Sequence, residues 1–423
     1  MPEEEPSGAA EPLKRRARPT SSLRSGQPGA RQSDLRERNL SLVFRQVLAC
    51  TEPPSRADVS ALTGLTRSTV SRLVDELLGG GMLLELEALG TGRAGRPALP
   101  LVPAAGALLS LGMELNVSHM AVFVMDLDGT VLASGTEDGD YAHSSPTAVL
   151  GRLAEITRSA LAESGSGHLV GAAIAVPGLV DSNRGVLLRA PNLGLVDVPV
   201  AEILRAALAL GDDVELVVGN EADFAAETIA MDAPGKPSEL GDFLYISGET
   251  GIGSSAVVGA GVAGGRHGWA GELGHICADP NGPLCGCGAT GCVEAFAGAK
   301  AVRERAGVDT IEELMAAAEQ DRPAAVEALR RAGAALGVGV AAALNLLDLP
   351  VVVIGGHLGR LGKWVAPAMQ EQLEHRVLAY ELSPPEIIPV ANDVSPAAQG
   401  AALAAFTPLL AHPSAWLEVA GAA

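Results

Sequence analysis

Residues 269–298 read WAGELGHICADPNGPLCGCGATGCVEAFAG, and this stretch decides how the rest of the chain is read. It contains His275 and four of the chain's five cysteines, Cys277, Cys285, Cys287 and Cys292. His275, Cys285, Cys287 and Cys292 follow the spacing H-x9-C-x-C-x4-C. Three thiolates and one imidazole make a closed tetrahedral set for a structural Zn2+, with no open position for a catalytic water. Gly286, Gly288 and Gly291 let the backbone curl tightly around such an ion. The competing reading is a group of reduced, buried cysteines without a metal. An odd total, clustered in one segment, does not suit a disulfide framework. Cys277 stands just outside the pattern and Cys50 lies on an apolar helix face, so both read as core residues.

On either side of this block the chain has the patterning of an α/β protein. Residues 107–135, ALLSLGMELNVSHMAVFVMDLDGTVLASG, read as two apolar strands around a short turn, the second ending at DLDG. Helical periodicity follows over 146–163, and then the strand LVGAAIAVPG at 169–178. The opening recurs at 242–265 in DFLYISGETGIGSSAVVGAGVAGG, again strand, glycine-rich turn and strand. Two halves that open alike predict a duplicated architecture of two lobes, with a ligand cleft between them. The C-terminal ANDVSPAAQGAALAAF reads as a helix packed on this body, with no chemistry assigned.

The first hundred residues differ. Residues 1–32, including the basic run LKRRARPTSS, hold too little apolar surface to offset the entropy of ordering and predict a disordered tail. From Ser33, a plausible N-cap, Leu40, Val43, Phe44, Val47 and Leu48 recur at helical spacing. A second helix is predicted from about Arg56 to Leu62, with Gly64 in the turn. A third starts after its cap Thr66 and buries Val70, Leu73, Val74 and Leu77. Its outward face carries Arg67, Ser68, Thr69, Ser71 and Arg72, which suit base edges and phosphates in a major groove, and Arg56 is a further candidate for DNA contact. In MLLELEALGTGRAGRPALPLV, two apolar runs flank a glycine-rich loop, a hairpin wing whose Arg93 and Arg96 reach phosphate or a minor groove. Helix, turn, helix and basic wing in this order predict a DNA-binding winged helix-turn-helix over 33–103. The plainer alternative is a helical bundle that pairs subunits or docks a partner. The larger domain then runs over 104–423, with lobes at about 104–235 and 236–423.

Charge is divided the same way. The whole chain carries −20, yet residues 1–100 hold 14 Lys/Arg against 12 Asp/Glu, and the remainder holds 16 against 38. An acidic body repels polyphosphate, so contact with DNA must be focused in the N-terminal part. No run of eighteen apolar residues and no leader-like apolar segment is present, which excludes a membrane span and points to the cytoplasm.

The central block resembles the signature of the ROK family (repressor, open reading frame, kinase), E-x-G-H followed by C-x-C-G-x-x-G-C-x-E. Here it reads Glu272, Gly274, His275, then Cys285, Cys287, Gly288, Gly291, Cys292 and Glu294, and the resemblance extends over roughly 105–410. The N-terminal part is similar to the DNA-binding half of the family's regulators, of the xylose-repressor and N-acetylglucosamine-repressor type. The resemblance implies an actin-like (ribonuclease H-like, duplicated) sugar-kinase-type domain, assembled as a homodimer or homotetramer. It also implies a sugar pocket of Asn192, Asn220, Glu221, Glu272, His275 and Glu294, in which the histidine gives one ring nitrogen to zinc and the other to the sugar.

The phosphoryl-transfer parts depart from the family. Glu114, Asn116, Val117 and Ser118 stand where the kinases have Asp, Gly, Gly and Thr of a phosphate loop. Glu221 follows Asn220 where the catalytic aspartate belongs, and Glu249 replaces a glycine of the second phosphate loop. The expectation is a sugar-responsive transcriptional regulator of carbohydrate genes, a repressor without enzymatic activity. It would bind a palindromic operator and a sugar or sugar-phosphate effector. The alternative is a ROK sugar kinase with an accessory DNA-binding head and Glu221 as base; a third reading is a pocket that docks another protein.

Overall fold

A computed structural model describes residues 32–87, 99–391 and 395–417. The basic tail at 1–31 and the wing arginines Arg93 and Arg96 lie outside the described residues. The N-terminal head is three helices, Gln32–Ala49, Arg56–Thr63 and Arg67–Gly79, followed by strand Leu83–Glu85 paired antiparallel with Leu101–Pro103. Local chemistry sets these bounds. Ser55 closes a capping box with Asp58, Gly64 takes φ 71° at the turn, and the Thr66 side chain accepts from the Thr69 amide. The first helix already begins at Gln32, so Ser33 lies inside its first turn instead of capping it, and its hydroxyl donates to Asp34.

The body contains two five-stranded sheets of the same topology. In the first, Leu108–Leu115 is central. On one side it pairs antiparallel with His119–Asp126, which pairs antiparallel in turn with Val131–Asp138; on the other lie the parallel strands His168–Val176 and Glu215–Asn220. In the second, Phe243–Gly248 is central; on one side it pairs antiparallel with Ile252–Val258, which pairs antiparallel with Gly261–Val262, and on the other lie the parallel strands Val351–Gly355 and Glu386–Pro389. The repeated opening in the sequence is therefore a repeated sheet. Leu108–Leu115 is buried along its whole length, as a central strand covered on both faces must be. Helix Pro146–Glu163 covers one face, and helix Pro396–Ala404, from the far end of the chain, covers the other.

That return is built on close backbone contacts. Ser110 donates its hydroxyl to the Ala402 carbonyl at 2.8 Å. Gly400 lies against helix Glu221–Ala230 so tightly that a Cβ there would fall 1.7 Å from the Phe224 carbonyl oxygen. The end of the chain also joins head to body. Phe44, Val47, Leu73 and Leu77 of the head share one continuous core with Phe123, Leu127, Phe406 and Leu410. Ser41 and Arg45 of the first helix both donate to the Leu410 carbonyl, at 2.6 and 3.2 Å. No described helix is long and apolar enough to cross a membrane.

Candidate effector pocket and metal cluster

Asn192, Asn220, Glu221, Glu272, His275 and Glu294 line one cavity between the lobes. They come from four turns or helix starts, Asn220 with Glu221 and Glu272 with His275 sharing one each. Asn220 caps helix Glu221–Ala230, accepting from the Ala222 amide at 2.8 Å and donating to the Gly178 carbonyl at 3.1 Å, so its amide is largely used in holding the backbone. Glu294 opens the short helix Glu294–Ala297 and accepts from the Ile252 amide at 3.0 Å. Gly251 makes that approach possible, because a Cβ there would stand 2.3 Å from Glu294 Oε2 and 3.2 Å from Asn192 Nδ2. Glu272 remains partly exposed at the cavity, and burial followed by repulsion from Glu294 raises its pKa against the pull of His275.

Behind this cavity, His275, Cys285, Cys287 and Cys292 place one ligand atom each within 4.8 Å of all the others, a cluster able to hold a metal ion. The Cys287 and Cys292 sulfurs are 3.8 Å apart, and the Cys285 sulfur lies 3.8 Å from His275 Nδ1. The other ring nitrogen, Nε2, faces Glu272 at 3.8 Å. His275 thus has one nitrogen on the cluster and one on the cavity side. Burial pushes the Cys285 thiol up to about 12, so it carries thiolate only where a cation takes the proton's place. Cys277 is exposed, unlike the core position expected of it, while Cys50 is half-buried and donates to the Gln46 carbonyl.

Glu221 also lines a second cavity with Glu114, His119, Ser247, Glu249 and Ser395. Asn116 bridges Glu114 and Glu221, donating to each at 3.2 Å. Glu114 is buried and pairs with His119 at 3.3 Å and with the Ser395 hydroxyl, which keeps its pKa below the usual carboxylate value despite desolvation. Glu221 and Glu249 have no such cation of their own. Burial and the neighbouring carboxylates push them up to about 8 and about 7. Sequence reasoning did not single out His119 or Ser395. They are 276 residues apart, and nothing local marks them as partners.

In the head, Arg67, Ser68 and Arg72 are exposed on the third helix, with Thr69 and Ser71 partly covered. Arg72 reaches back to Glu76 at 2.9 Å in an exposed pair that a phosphate can displace. Arg56 is placed differently. Its guanidinium donates to Glu85 at 2.8 Å, to Asp75 at 2.6 Å and to the Ser71 carbonyl at 3.2 Å, joining the second helix, third helix and first strand of the hairpin.

Residues 110–407 match the ROK family. The chain belongs to the ROK family. Among relatives, the xylose repressor of Bacillus subtilis (strain 168) is 27% identical over 369 residues, covering 84% of this chain and 92% of its own length. The crystal structure of a ROK family transcriptional regulator, a homologue of the E. coli MLC protein, superposes with a TM-score of 0.74 at 22% identity. It covers 92% of this chain and 100% of its own. The ROK hexokinase from Thermus thermophilus superposes at a TM-score of 0.59 and 27% identity over 71% of this chain and 99% of its own. The ROK body is therefore the actin-like, two-lobed sugar-kinase fold, shared by regulators and kinases. In that ROK frame Glu114, Glu221 and Glu249 fall together on the side of the pocket where the sequence places the degenerate phosphate loops.

Proposed function

We propose that this ROK protein is a sugar-responsive, DNA-binding transcriptional repressor of carbohydrate-metabolism genes, and that its pocket binds an effector without phosphorylating it. The observation that carries this reading is the continuity between pocket and head. Glu221, on the cavity, begins helix Glu221–Ala230, and a ten-residue helix spans about 15 Å. Its far end runs into the small hairpin Met231–Ala233 and Lys236–Pro237, where Gly235 packs against Leu48 of the first head helix. A ligand that prefers one setting of the lobes thereby biases the setting of the head, and DNA biases ligand affinity by the same factor. In a homodimer or homotetramer, two recognition helices must lie roughly 34–36 Å apart to read a palindromic operator, so a change in setting is a change in DNA affinity.

Zinc fits the cluster beside the pocket. A tetrahedral ion with metal–sulfur bonds of about 2.3 Å has sulfur–sulfur edges of about 3.8 Å, the separation of Cys287 and Cys292. His275 Nδ1, Cys285, Cys287 and Cys292 would hold it, leaving no position for substrate, and its contribution is to fix the ring so that Nε2 addresses a sugar hydroxyl. Glu272 and Glu294 accept from further hydroxyls, and Asn192 lines the cavity as a donor. Arg67, Ser68, Thr69, Ser71 and Arg72 would face the major groove, with Arg93 and Arg96 as further DNA contacts; Arg56 supports the scaffold of the third helix.

Against kinase activity stands the state of Glu221. Burial and the neighbouring carboxylates push it up to about 8, so the ionised form that a base needs is the minority at neutral pH. The test is binding of the full chain to a fragment of its own promoter, with and without sugars, alongside coupled detection of ADP. The expected result is DNA affinity that falls steeply with salt, changes with one sugar, and no turnover with ATP. DNA affinity that is flat with salt, or ADP release that disappears in Glu221→Gln, refutes the proposal.

A further inference from the structure

Cys277 is the cysteine of the central block that neither the metal cluster nor the apolar core takes up. Its side chain is exposed, whereas Cys292 is fully buried. The two residues stand directly opposite each other on a short antiparallel ribbon. The Ala278 amide donates to the Gly291 carbonyl at 2.7 Å and the Val293 amide donates to the Ile276 carbonyl at 2.9 Å, so hydrogen bonds bracket the pair on both sides. Residues opposed between such bonds have Cα atoms about 4.5 Å apart and side chains on the same face. A disulfide needs Cα atoms about 4.4–6.8 Å apart. Gly291 presses the two strands together beside the pair: it takes φ 74°, and a Cβ there would fall 1.6 Å from the Asp279 carbonyl oxygen. Rotation of the two side chains is all that separates this backbone from a cross-strand disulfide.

We propose that Cys277 is a redox-sensing thiol, oxidised by hydrogen peroxide, and that Cys292 is its resolving partner. An oxidant arriving from solvent meets the exposed Cys277 before the three cysteines of the cluster. One peroxide oxygen passes to the Cys277 sulfur, the O–O bond breaks, and the sulfenic acid and one water are formed. The Cys292 sulfur then attacks the Cys277 sulfur, the S–S bond forms, and the hydroxyl leaves as a second water. That water takes the proton of the Cys292 thiol or, where the sulfur holds the metal, a proton from solvent. The two sulfurs together give up two electrons, and one peroxide is reduced to two waters. Cys292 cannot serve Cys277 and the cluster at once, so the cluster loses one of its four ligand atoms and its hold on the ion. Cys292 stands two residues before Glu294, and Glu294 and His275 both line the cavity between the lobes. Oxidation at the surface thereby loosens a wall of that cavity, and a thiol reductant restores it.

The test is peptide mass spectrometry of the zinc-loaded full chain after treatment with about one equivalent of hydrogen peroxide. Cleavage on the N-terminal side of Asp279 puts Cys277 on one peptide and Cys285, Cys287 and Cys292 on another. The expected result is that the two peptides are joined through Cys277 and Cys292 with loss of two hydrogens. A chromogenic chelator should report zinc release in step with the cross-link, and dithiothreitol should reverse both. Cys277→Ser removes no ligand of the cluster, so its zinc content before treatment should equal that of wild type, and its release of zinc under the same treatment should be lost. Cys277→Ala is the second variant should serine disturb loading. Absence of the cross-link in the wild-type chain, a bond confined to Cys285, Cys287 and Cys292, a bond from Cys277 to a cysteine other than Cys292, or zinc release from both variants at the wild-type rate overturns the proposal.

Discussion

Replacing Gly251 with alanine isolates the geometry on which the pocket depends. The glycine has no left-handed φ, so backbone strain plays no part in the substitution. What matters is space. The new Cβ would stand 2.3 Å from Glu294 Oε2, whereas ordinary carbon–oxygen contact begins at 3.4 Å. The carboxylate must therefore retreat by about 1 Å, and in doing so it lengthens or loses its bond from the Ile252 amide, now 3.0 Å. A hydrogen bond to a charged group is worth about 1.5–3 kcal/mol. If Glu294 loses its orientation toward a sugar hydroxyl, affinity falls by that amount, between about ten- and a hundredfold. The assay is titration of Gly251→Ala with the sugar that changes DNA binding by the wild-type chain, with circular dichroism to verify the fold. Gly286→Ala is the matched control: Gly286 lines the same cavity and sits in the cluster's loop, but unlike Gly288 and Gly291 it takes no left-handed φ, and a Cβ there meets nothing within 4 Å. Its affinity should stay within about twofold, on the order expected for a substitution that touches nothing. Effector binding by Gly251→Ala equal to that of the control would show that Glu294 does not hold the ligand.

Further expectations separate roles that look alike in sequence. Cys287→Ser should remove bound zinc, lower thermal stability and weaken sugar binding together; elemental analysis showing full metal content in that variant would contradict the cluster. Arg67→Ala should weaken operator binding and reduce its salt dependence while leaving the melting temperature close to wild type, whereas Arg56→Ala should lower the melting temperature through loss of its contacts with Glu85 and Asp75; a stable Arg56 variant that fails only on DNA reverses that assignment. Phe44→Ala, at a fully buried position in the core shared by head and body, should cost about 3–5 kcal/mol and destabilise both parts in one transition; a scan in which only the head melts early refutes the shared core. Glu221 and Glu249 hold protons in the folded state that the unfolded chain releases above about pH 4.3. Their contribution to stability is thus fully present below that pH and is lost as pH rises toward about 8. Chemical denaturation of Glu221→Gln between pH 5 and 8 should give a flatter profile than wild type; an identical slope would remove Glu221 as a source.

What the sequence made legible was local. The cluster of His275, Cys285, Cys287 and Cys292 lies within eighteen residues, and the head's helices are set by caps one turn from what they cap. The repeated sheet was legible because each half repeats its own hairpin. What stayed hidden depends on residues remote in sequence. Arg56 reads as an outward cation until Asp75 and Glu85 are folded against it. The joint between head and body depends on Ser41 meeting the Leu410 carbonyl 369 residues away, which no periodicity predicts. Glu221 shows the difference most clearly. From sequence, its extra methylene relative to aspartate suggests a base misplaced by about 1 Å. The structure adds a second departure, one of charge: buried beside Glu114 and Glu249, Glu221 is pushed up to about 8, so its ionised form is the minority at neutral pH. Restoring aspartate at 221 alone corrects the length and leaves the repulsion, so Glu221→Asp should remain without kinase activity while Glu114 and Glu249 are in place. Measurable ADP release from that single variant would show that length was the whole of the defect.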